Sequence, residues 1–318
     1  NGGFTKAGAG TLTINSSAAN TYAGATTITA GMVATGGSAG RLGSTSGVDL
    51  SAGAVLQLNT SETINLLTGG GSVVLNGTAV RLTTGTNNGD YVLGSVVSGT
   101  GTFTKTGTGS VTLAGTNTYT GDTTLTNGTI RLGSDDALGN AVSSYLLVTA
   151  GRLSSDGATE RSLGNNITMN GDLALGNVTN TGRVTLAGGI SLEGFNRTFT
   201  VDSVATISGL LANGAITKAG ASTLTLTAAN TYTGGTTISA GTLLLGSAER
   251  IDDRGTLAAL GGTFDLGGFT ETVAVVTVDG GTIANGTLIG SNYANTSNVY
   301  ALKSGAVSAV LGEMNSGV

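Results

Sequence analysis

The residues of this chain that could do acid–base chemistry are carboxylates, because the 318-residue sequence contains no histidine and no cysteine. Serine–histidine and cysteine–histidine catalysis are therefore excluded, and so are the common zinc sites. Two adjacent acidic pairs occur, Asp135–Asp136 and Asp252–Asp253, and arginines at 250 and 254 flank the second pair. Paired carboxylates could serve glycoside hydrolysis or bind calcium.

The spacing of these acids argues against a reaction centre. Neighbouring side chains on a strand point to opposite faces, so a pair such as Asp252–Asp253 does not by itself bring two carboxylates together. We interpret both pairs as solvated loops with local ion pairs. The sequence therefore predicts no enzyme, with no catalytic, cofactor-binding or metal-binding residue.

Two glycine patterns resemble part of a phosphate-binding loop: Gly8-Ala9-Gly10 and Gly107-Thr108-Gly109. Both lack the following helix and the lysine that such a loop requires, so we expect them to form chain corners. Nucleic acid is also excluded as a partner, because the 13 Lys and Arg residues are scattered and form no basic patch. The net charge of −5 suits solubility rather than recognition.

The composition indicates β-structure almost throughout. Glycine accounts for 56 residues, more than twice the usual ~7%, whereas proline is absent. Proline is excluded where nearly every backbone N–H donates to a β-ladder, and glycine suits the corners between strands. With 39% hydrophobic and only 10% charged residues, the chain can bury a core.

The sequence also bears on compartment and membrane. Without cysteine there is no disulfide, so stability must come from the β-ladder. The longest apolar runs, such as residues 273–276, are far below the ~20 residues of a membrane-spanning helix, so we expect no membrane insertion by this segment. No leader is visible at Asn1, and any export signal is expected outside this sequence.

One stretch, Ile216 to Gly246, occurs three times. The second copy runs from Phe103 to Gly133 and the first begins at Phe4, and such tandem repetition indicates a repeat architecture. Four residue types recur and define the repeat: the lysines Lys6, Lys105 and Lys218; the asparagines Asn20, Asn117 and Asn230; the tyrosines Tyr22, Tyr119 and Tyr232; and the glycines Gly31, Gly128 and Gly241.

Each recurring type has an expected structural role. The lysines are expected to be solvated charges at corners that discourage edge pairing. The asparagines are expected in turns, in the left-handed conformation and bonded to their own backbone. The tyrosines are expected to pack over corners with the hydroxyl in water, which we favour over a row of exposed aromatics that binds sugar.

The alternation in the repeat predicts strands. From Thr223 to Thr227, threonine alternates with leucine, so Leu224 and Leu226 should face inward. An antiparallel sandwich or barrel and a β-solenoid both use many short strands, but tandem repeats and the lack of regular hairpin signals favour the solenoid. The best candidates for short helical turns are residues 135–138 and 248–252.

The repeat spacing predicts one continuous solenoid over residues 1–318, with three superunits at about 4–102, 103–215 and 216–317. The segments between the copies also resemble one another in sequence, including Gly255 to Val273 and, more weakly, Val55 to Ile64. Val318 falls where a fourth copy would start, so we expect this segment to be a section of a longer array.

Two phrases carry a family resemblance. They are Thr-Lys-x-Gly-x-(Gly/Ser)-(Thr/Ser)-(Leu/Val)-Thr-(Leu/Ile) and Asn-Thr-Tyr-x-Gly-x-Thr-Thr, at residues 5–14 and 20–27, 104–113 and 117–124, and 217–226 and 230–237. They resemble the passenger-associated transport repeat, the autotransporter-associated β-strand repeat of bacterial surface proteins. The resemblance implies a right-handed parallel β-helix that is exported and forms the passenger stalk of a cell-surface protein.

The sequence therefore predicts a structural β-solenoid of a large extracellular or bacterial cell-surface protein, which requires no cofactor. Its expected partners are adjoining segments of a longer chain or copies of itself, end to end. One alternative is an adhesin whose lateral face binds glycans or neighbouring cells. A third hypothesis, a carbohydrate-active enzyme, requires two or three carboxylates converging within about 10 Å on one face.

Overall fold

A computed structural model describes residues 2–37, 40–42, 47–291 and 299–313. These residues form strands joined by turns and bends, with no α-helix among them. Of the two segments predicted as short helical turns, residues 135–138 form a hydrogen-bonded turn, and residues 248–252 form bends and irregular backbone. The described part of the chain thus offers no helix long and apolar enough to cross a membrane.

The chain forms two compact units, Asn1–Asp156 with Leu163–Asn166, and Gly157–Ser162 with Ile167–Val318. The strands of the first unit are β1 (Phe4–Lys6), β2 (Thr11–Ile14), β3 (Thr26–Ile28), β4 (Met32–Thr35), β5 (Val48–Leu50), β6 (Val55–Leu58), β7 (Glu62–Ile64), β8 (Leu67–Gly69), β9 (Ser72–Leu75), β10 (Arg81–Thr84), β11 (Tyr91–Leu93), β12 (Val96–Gly99), β13 (Thr102–Lys105), β14 (Ser110–Leu113), β15 (Thr123–Leu125), β16 (Thr129–Leu132), β17 (Leu146–Val148) and β18 (Arg152–Ser155).

Strand β19 comprises Arg161–Leu163. The strands of the second unit are β20 (Ile167–Met169), β21 (Leu173–Leu175), β22 (Val184–Leu186), β23 (Ile190–Val201), β24 (Ala205–Ile207), β25 (Leu211–Ala219), β26 (Thr223–Leu226), β27 (Thr236–Ile238), β28 (Thr242–Leu245), β29 (Thr256–Ala259), β30 (Thr263–Asp265), β31 (Thr270–Val273), β32 (Val275–Ala284), β33 (Thr287–Gly290), β34 (Tyr300–Val307) and β35 (Val310–Glu313).

The strands of the first unit stack in three parallel columns. One column contains β1, β3, β5, β8, β11, β14, β16 and β18. A second contains β2, β4, β6, β9 and β12. The third contains β7, β10, β13, β15 and β17. Successive strands of the chain thus occupy successive sides of a coil, which confirms the parallel β-solenoid and rules out the antiparallel sandwich or barrel for this unit.

The repeats of the first unit do not lie directly above one another. Equivalent strands β1 and β13 belong to the first and third columns. Between them the chain makes four complete turns, from β1 through β3, β5 and β8 to β11, and then passes two further sides at β12 and β13. The spacing of 99 residues is therefore four and two-thirds turns.

The second unit is also a parallel coil, and its long strands bend around corners. Strand β23 pairs with β25 on both sides of a register shift between Ser191 and Phe195, and β32 pairs with β34 in the same way. Glu193 and Gly194 lie at the β23 corner with φ of 55° and 78°. Left-handed backbone at this corner turns one strand into two adjacent sides of the coil.

Inward-facing apolar side chains form the core. In the repeat, Leu224 and Leu226 are fully buried, as the alternation predicted. They stack on Ala205 and Ile207 of the preceding turn and on Leu243 and Leu245 of the next. Burial contributes about 25 cal/mol per Å² of apolar area, so these columns are the main source of stability. The superunit boundaries stay a prediction, and Val318, on which the phase argument rests, lies outside the described residues.

Candidate functional site

Each repeat contains a lysine whose ammonium group bonds to three backbone carbonyls. Lys218, at the inner face of β25, donates to the oxygens of Ala219, Gly220 and Ala240 at 2.9, 2.8 and 3.0 Å. We call this arrangement the lysine clamp. Two carbonyls belong to the corner that follows the strand, and the third belongs to the corner of the next turn, so the clamp joins consecutive turns.

The other two repeats contain the same clamp. Lys6 donates to Ala7, Gly8 and Ala30 at 3.0, 2.6 and 3.1 Å. Lys105 donates to Thr106, Gly107 and Asn127 at 2.5, 3.0 and 3.5 Å. The expectation of solvated lysines is wrong, because Lys105 and Lys218 are fully buried and Lys6 is 9% exposed. The corner carbonyls solvate the ammonium charge in place of water.

Three effects act on the charge of a clamped lysine. Burial lowers the pKa of Lys105 and of Lys218 to about 8, since removal from water disfavours the ammonium form. The three carbonyls favour that form, because only the ammonium has a donor hydrogen for each acceptor. Nearby Asp90 and Asp202 also raise the pKa of Lys105 and of Lys218, respectively.

The recurring glycines make the third carbonyl of each clamp available. Gly31, Gly128 and Gly241 follow the residues that supply it, and their φ values of 71°, 75° and 63° lie in the left-handed region. A Cβ atom at Gly31 would lie 2.5 Å from the carbonyl oxygens of Gly8 and Gly10. Glycine is therefore required both for the backbone conformation and for the close approach of the preceding turn.

The Gly-x-Gly corners present the opposite polarity to a phosphate-binding loop. The carbonyl oxygens of Gly8 and Gly107 point to the clamp lysines of their own repeats. A phosphate site needs convergent N–H groups, whereas these oxygens would repel an anion. The corners therefore hold a cation that belongs to the chain itself.

Two of the recurring asparagines, Asn117 and Asn230, bridge three turns. The Oδ1 atom of Asn117 accepts a hydrogen bond from Val97 N at 2.8 Å, and its Nδ2 donates to Ala137 O at 2.7 Å. Asn230 makes the same bonds to Leu211 N at 2.9 Å and Arg250 O at 2.8 Å. In the first repeat, Asn20 Nδ2 donates to Arg41 O at 2.5 Å.

These contacts correct the expected role of the asparagines. All three lie in irregular backbone, yet none is among the residues with positive φ. Asn117 and Asn230 are buried, and their amides bond to the preceding and following turns rather than to their own backbone. Each amide thus satisfies one donor and one acceptor where regular strand pairing is interrupted.

The recurring tyrosines point into the coil. Tyr119 and Tyr232 are fully buried, and Tyr22 is half-buried. Each hydroxyl bonds to the threonine four residues later, as between Tyr232 and Thr236 at 2.7 Å. For Tyr119 and Tyr232, the expectation of a hydroxyl in water is wrong, and so is the alternative of an exposed aromatic row. Burial raises the pKa of both hydroxyls.

Two buried glutamates extend the polar contacts, and the sequence reasoning missed them. Glu271 is fully buried and accepts hydrogen bonds from Arg250 N and Ile251 N, each at 2.7 Å. Glu62 accepts from Arg41 N at 2.8 Å and Leu42 N at 3.4 Å. Both occur in the phrase Glu-Thr-(Ile/Val) in the segments between the repeat copies, and this shared phrase was the available signal.

An acidic loop of the second unit contains Glu249, Asp252 and Asp253. It lines an open groove of about 520 Å³, together with Asn230, Ile251, Arg254 and Ser291. Glu249 accepts a hydrogen bond from Thr272 N at 3.3 Å, while Glu271 accepts from the backbone N–H groups of residues 250 and 251. Each glutamate thus binds the backbone beside the other. The pKa of Glu271 is raised to about 8, because burial and, to a smaller extent, the charges of Glu249 and Asp253 outweigh the lowering effect of the two N–H donors.

The predicted ion pair is present in this loop. Arg254 donates three hydrogen bonds to the Asp252 carboxylate, from its backbone N at 3.0 Å and from its guanidinium at 2.8 and 2.7 Å, and the arginine lowers the pKa of the aspartate. Asp135 and Asp136 are exposed on a turn. Within the described ranges, no group of three or more carboxylates is placed to hold a metal ion.

The comparisons with known proteins identify the repeated segments. The family model described as the passenger-associated-transport-repeat matches residues 4–34, 103–132 and 216–245. The chain carries three passenger-associated transport repeats. The comparisons with curated proteins and with solved structures returned no match.

The residues that form the clamp, and the asparagines of the bridge, therefore lie in the matched segments of this chain. Lysine, asparagine, tyrosine and glycine all lie within the matched segments. Glu62 and Glu271 lie outside them, but each bonds to the backbone that the repeat's asparagine also contacts, at Arg41 and Arg250. The polar contacts of a repeat thus continue into the turns that follow it.

Proposed function

We propose that this chain is a structural segment of the passenger of a bacterial surface protein. One observation carries the proposal: the polar side chains that define the repeat are turned inward and used to join consecutive turns. A residue whose donors and acceptors are all satisfied inside the coil is not available to a substrate. The passenger-associated transport repeats and the parallel β-solenoid both support this function.

The same proposal places the chain outside the bacterial cell, at its surface. A parallel coil held by backbone ladders needs no disulfide, and each turn provides the edge on which the next can pair. Displayed on a bacterium through an outer-membrane anchor, the full chain should present an epitope tag to antibody and resist added protease. A Leu224→Asp variant, in which the coil is disrupted, should lose the protease resistance. Equal protease sensitivity of both chains would contradict the proposal.

Glycan binding is a second candidate, favoured by one exposed aromatic side chain. Phe195 is 61% exposed, and the guanidinium carbon of Arg197 lies 4.7 Å from the centre of its ring. An exposed aromatic ring suits the apolar face of a sugar. Binding of the purified chain to an array of polysaccharides, abolished by Phe195→Ala but not by Val178→Ala at another exposed position, would establish an adhesin.

We further propose that adjoining segments or copies of the chain meet end to end. The support is the tandem repetition, because each turn of a solenoid is a template for the next. Electron microscopy of the purified chain should show filaments with an axial repeat if copies associate in this way. Separate particles at all protein concentrations would leave only the adjoining segments of a longer chain as partners.

A carbohydrate-active enzyme would need the acidic groove of the second unit. Glu271 is fully buried and cannot reach a substrate, whereas Glu249 and Asp253 interact directly with each other. A glycosidase places its two carboxylates about 5–10 Å apart. Polysaccharide hydrolysis that is lost in Glu249→Gln would nevertheless overturn the structural proposal.

A further inference from the structure

The corner held by the Lys105 clamp contains a reactive dipeptide, Asn127-Gly128. We propose that Asn127 is a site of spontaneous covalent modification, at which the backbone nitrogen of Gly128 displaces the side-chain amide group. Gly128 N lies 2.7 Å from Asn127 Oδ1, so the nitrogen already lies against the carboxamide that it would attack. Asn127 is exposed, which gives water access to the reaction.

Lys105 favours the reactive form of this peptide bond. Its ammonium lies 3.5 Å from the carbonyl oxygen of Asn127, on the same peptide unit as the Gly128 nitrogen. When that nitrogen loses its proton, the negative charge is shared with the carbonyl oxygen. A cation at this distance stabilises that charge, and the burial of Lys105 strengthens the interaction.

Other Asn-Gly pairs of the described chain are held differently. Asn88, Asn213 and Asn285 have φ of 60°, 61° and 58°, a left-handed geometry that Asn127 does not share. At Asn76, the following nitrogen donates to Leu75 O at 3.1 Å instead of to the asparagine side chain. The same dipeptide occurs at Asn170-Gly171, but the three clamp lysines donate to other carbonyls.

The chemistry balances with water as the co-reactant. The deprotonated Gly128 nitrogen forms a bond to Cγ of Asn127, the bond from Cγ to Nδ2 breaks, and ammonia leaves with the proton it requires. The five-membered cyclic imide then takes up one water molecule. Opening at one carbonyl gives aspartate, and opening at the other gives isoaspartate, in which the backbone passes through the former side chain.

The product would change the middle repeat only. Alanines occupy the equivalent corners, Ala30 in the first repeat and Ala240 in the third. An aspartate at 127 adds a carboxylate close to the Lys105 ammonium. An isoaspartate instead lengthens the backbone at the corner and moves the carbonyl that Lys105 binds. The reaction therefore produces two chemically distinct states of one clamp.

The test is to incubate the folded chain at pH 7, below the pKa of about 8 at which Lys105 loses its charge, digest it, and quantify aspartate and isoaspartate at each Asn-Gly peptide by mass spectrometry. We expect Asn127 to convert about tenfold faster than Asn170, a rate ratio that corresponds to about 1.4 kcal/mol of activation free energy. In guanidinium chloride the two rates should become similar, because the clamp is then absent. Asn127→Ala, which copies the other two repeats, should remove this product and leave the other peptides unchanged.

The proposal is overturned if Asn127 converts no faster than Asn170 in the folded chain, or if unfolding leaves the ratio of the two rates unchanged. A Lys105→Met variant separates the lysine from the corner geometry. If this variant is folded by circular dichroism, its Asn127 should convert more slowly than that of the wild type. If it does not fold, the comparison of folded and unfolded wild type still decides the proposal.

Discussion

The ammonium nitrogen of Lys218 lies 3.0 Å from the carbonyl oxygen of Ala240, 22 residues later and one turn further along the coil. Backbone hydrogen bonds join the same two turns on either side of this corner, from Ser239 N to Lys218 O at 2.9 Å and from Thr242 N to Ser222 O at 3.3 Å. The lysine supplies at the corner what strand pairing supplies elsewhere, a hydrogen bond between consecutive turns. A charge is suited to this task because it can satisfy three carbonyls at once.

Replacing a clamp lysine should destabilise the chain. Lys218→Met keeps the length of the side chain but leaves three carbonyls without their donor, and an unsatisfied buried acceptor costs about 1–3 kcal/mol. Urea denaturation should show a lower midpoint for this variant. Lys303→Met is the control, because that lysine is 64% exposed in an ion pair with Asp279 and should change stability by less than about 1 kcal/mol. An equal effect of both substitutions would contradict the clamp.

Two glycines of the first repeat separate backbone strain from steric crowding. Gly31 and Gly8 have similar φ values, 71° and 78°. A Cβ at Gly31 would lie 2.5 Å from two carbonyl oxygens, whereas nothing lies within 4 Å of a Cβ at Gly8. Gly8→Ala should therefore cost only the left-handed strain, about 1–2 kcal/mol, and Gly31→Ala distinctly more. The two thermal melts compare them directly, and a smaller loss at Gly31 would refute the close approach of the turns.

A charge in the apolar column should collapse the coil locally. Leu224 is fully buried, so Leu224→Asp removes a stacked side chain and places an unpaired carboxylate in the core. Loss of the side chain alone costs about 2–5 kcal/mol, and the charge adds to this. Thr225→Asp, on the neighbouring outward position, should melt close to the wild-type temperature. Unchanged melting of Leu224→Asp would refute its inward assignment.

The buried Glu271 should make stability depend on pH. Its pKa is raised from the ordinary value of 4.5 to about 8, so the folded chain retains a proton that the unfolded chain releases. Its contribution is complete below pH 4.5 and is lost as the pH rises through 8. Glu271→Gln should therefore show a smaller fall in melting temperature between pH 5 and pH 9 than the wild type. Since the lowered pKa values of Lys105 and Lys218 act in the opposite sense, the difference between variant and wild type is the quantity to compare.

The fold could be predicted from the sequence because alternation and repetition have direct physical causes. Alternation placed Leu224 and Leu226 inside, and tandem repetition without regular hairpin signals indicated a solenoid. The sequence did not predict the destination of the polar residues. Lys218 was expected in water because a single charged residue is usually exposed, and its three acceptors come from corners up to 22 residues away. Such acceptors are invisible until the turns are stacked.

The glutamates show the same limit more sharply. Glu271 bonds to backbone N–H groups 20 and 21 residues earlier, so its role depends on the length of one turn. Only the repetition of Glu-Thr-(Ile/Val) at positions 62 and 271 marked these residues in the sequence. A side chain that bonds only to backbone groups has no partner side chain whose type or spacing in the sequence could reveal the contact.

The spacing of four and two-thirds turns between the first two repeats has a consequence for anything that touches the outside of the first unit. Thr5 and Thr104 occupy the same place in their repeats, yet they belong to different columns and so lie at different azimuths around the axis. A straight polymer laid along the coil would meet one of these positions and miss the other. Multivalent capture through the repeated motif would thus require a ligand that winds around the protein, whereas an insertion of about a third of a turn would bring both positions into a single line.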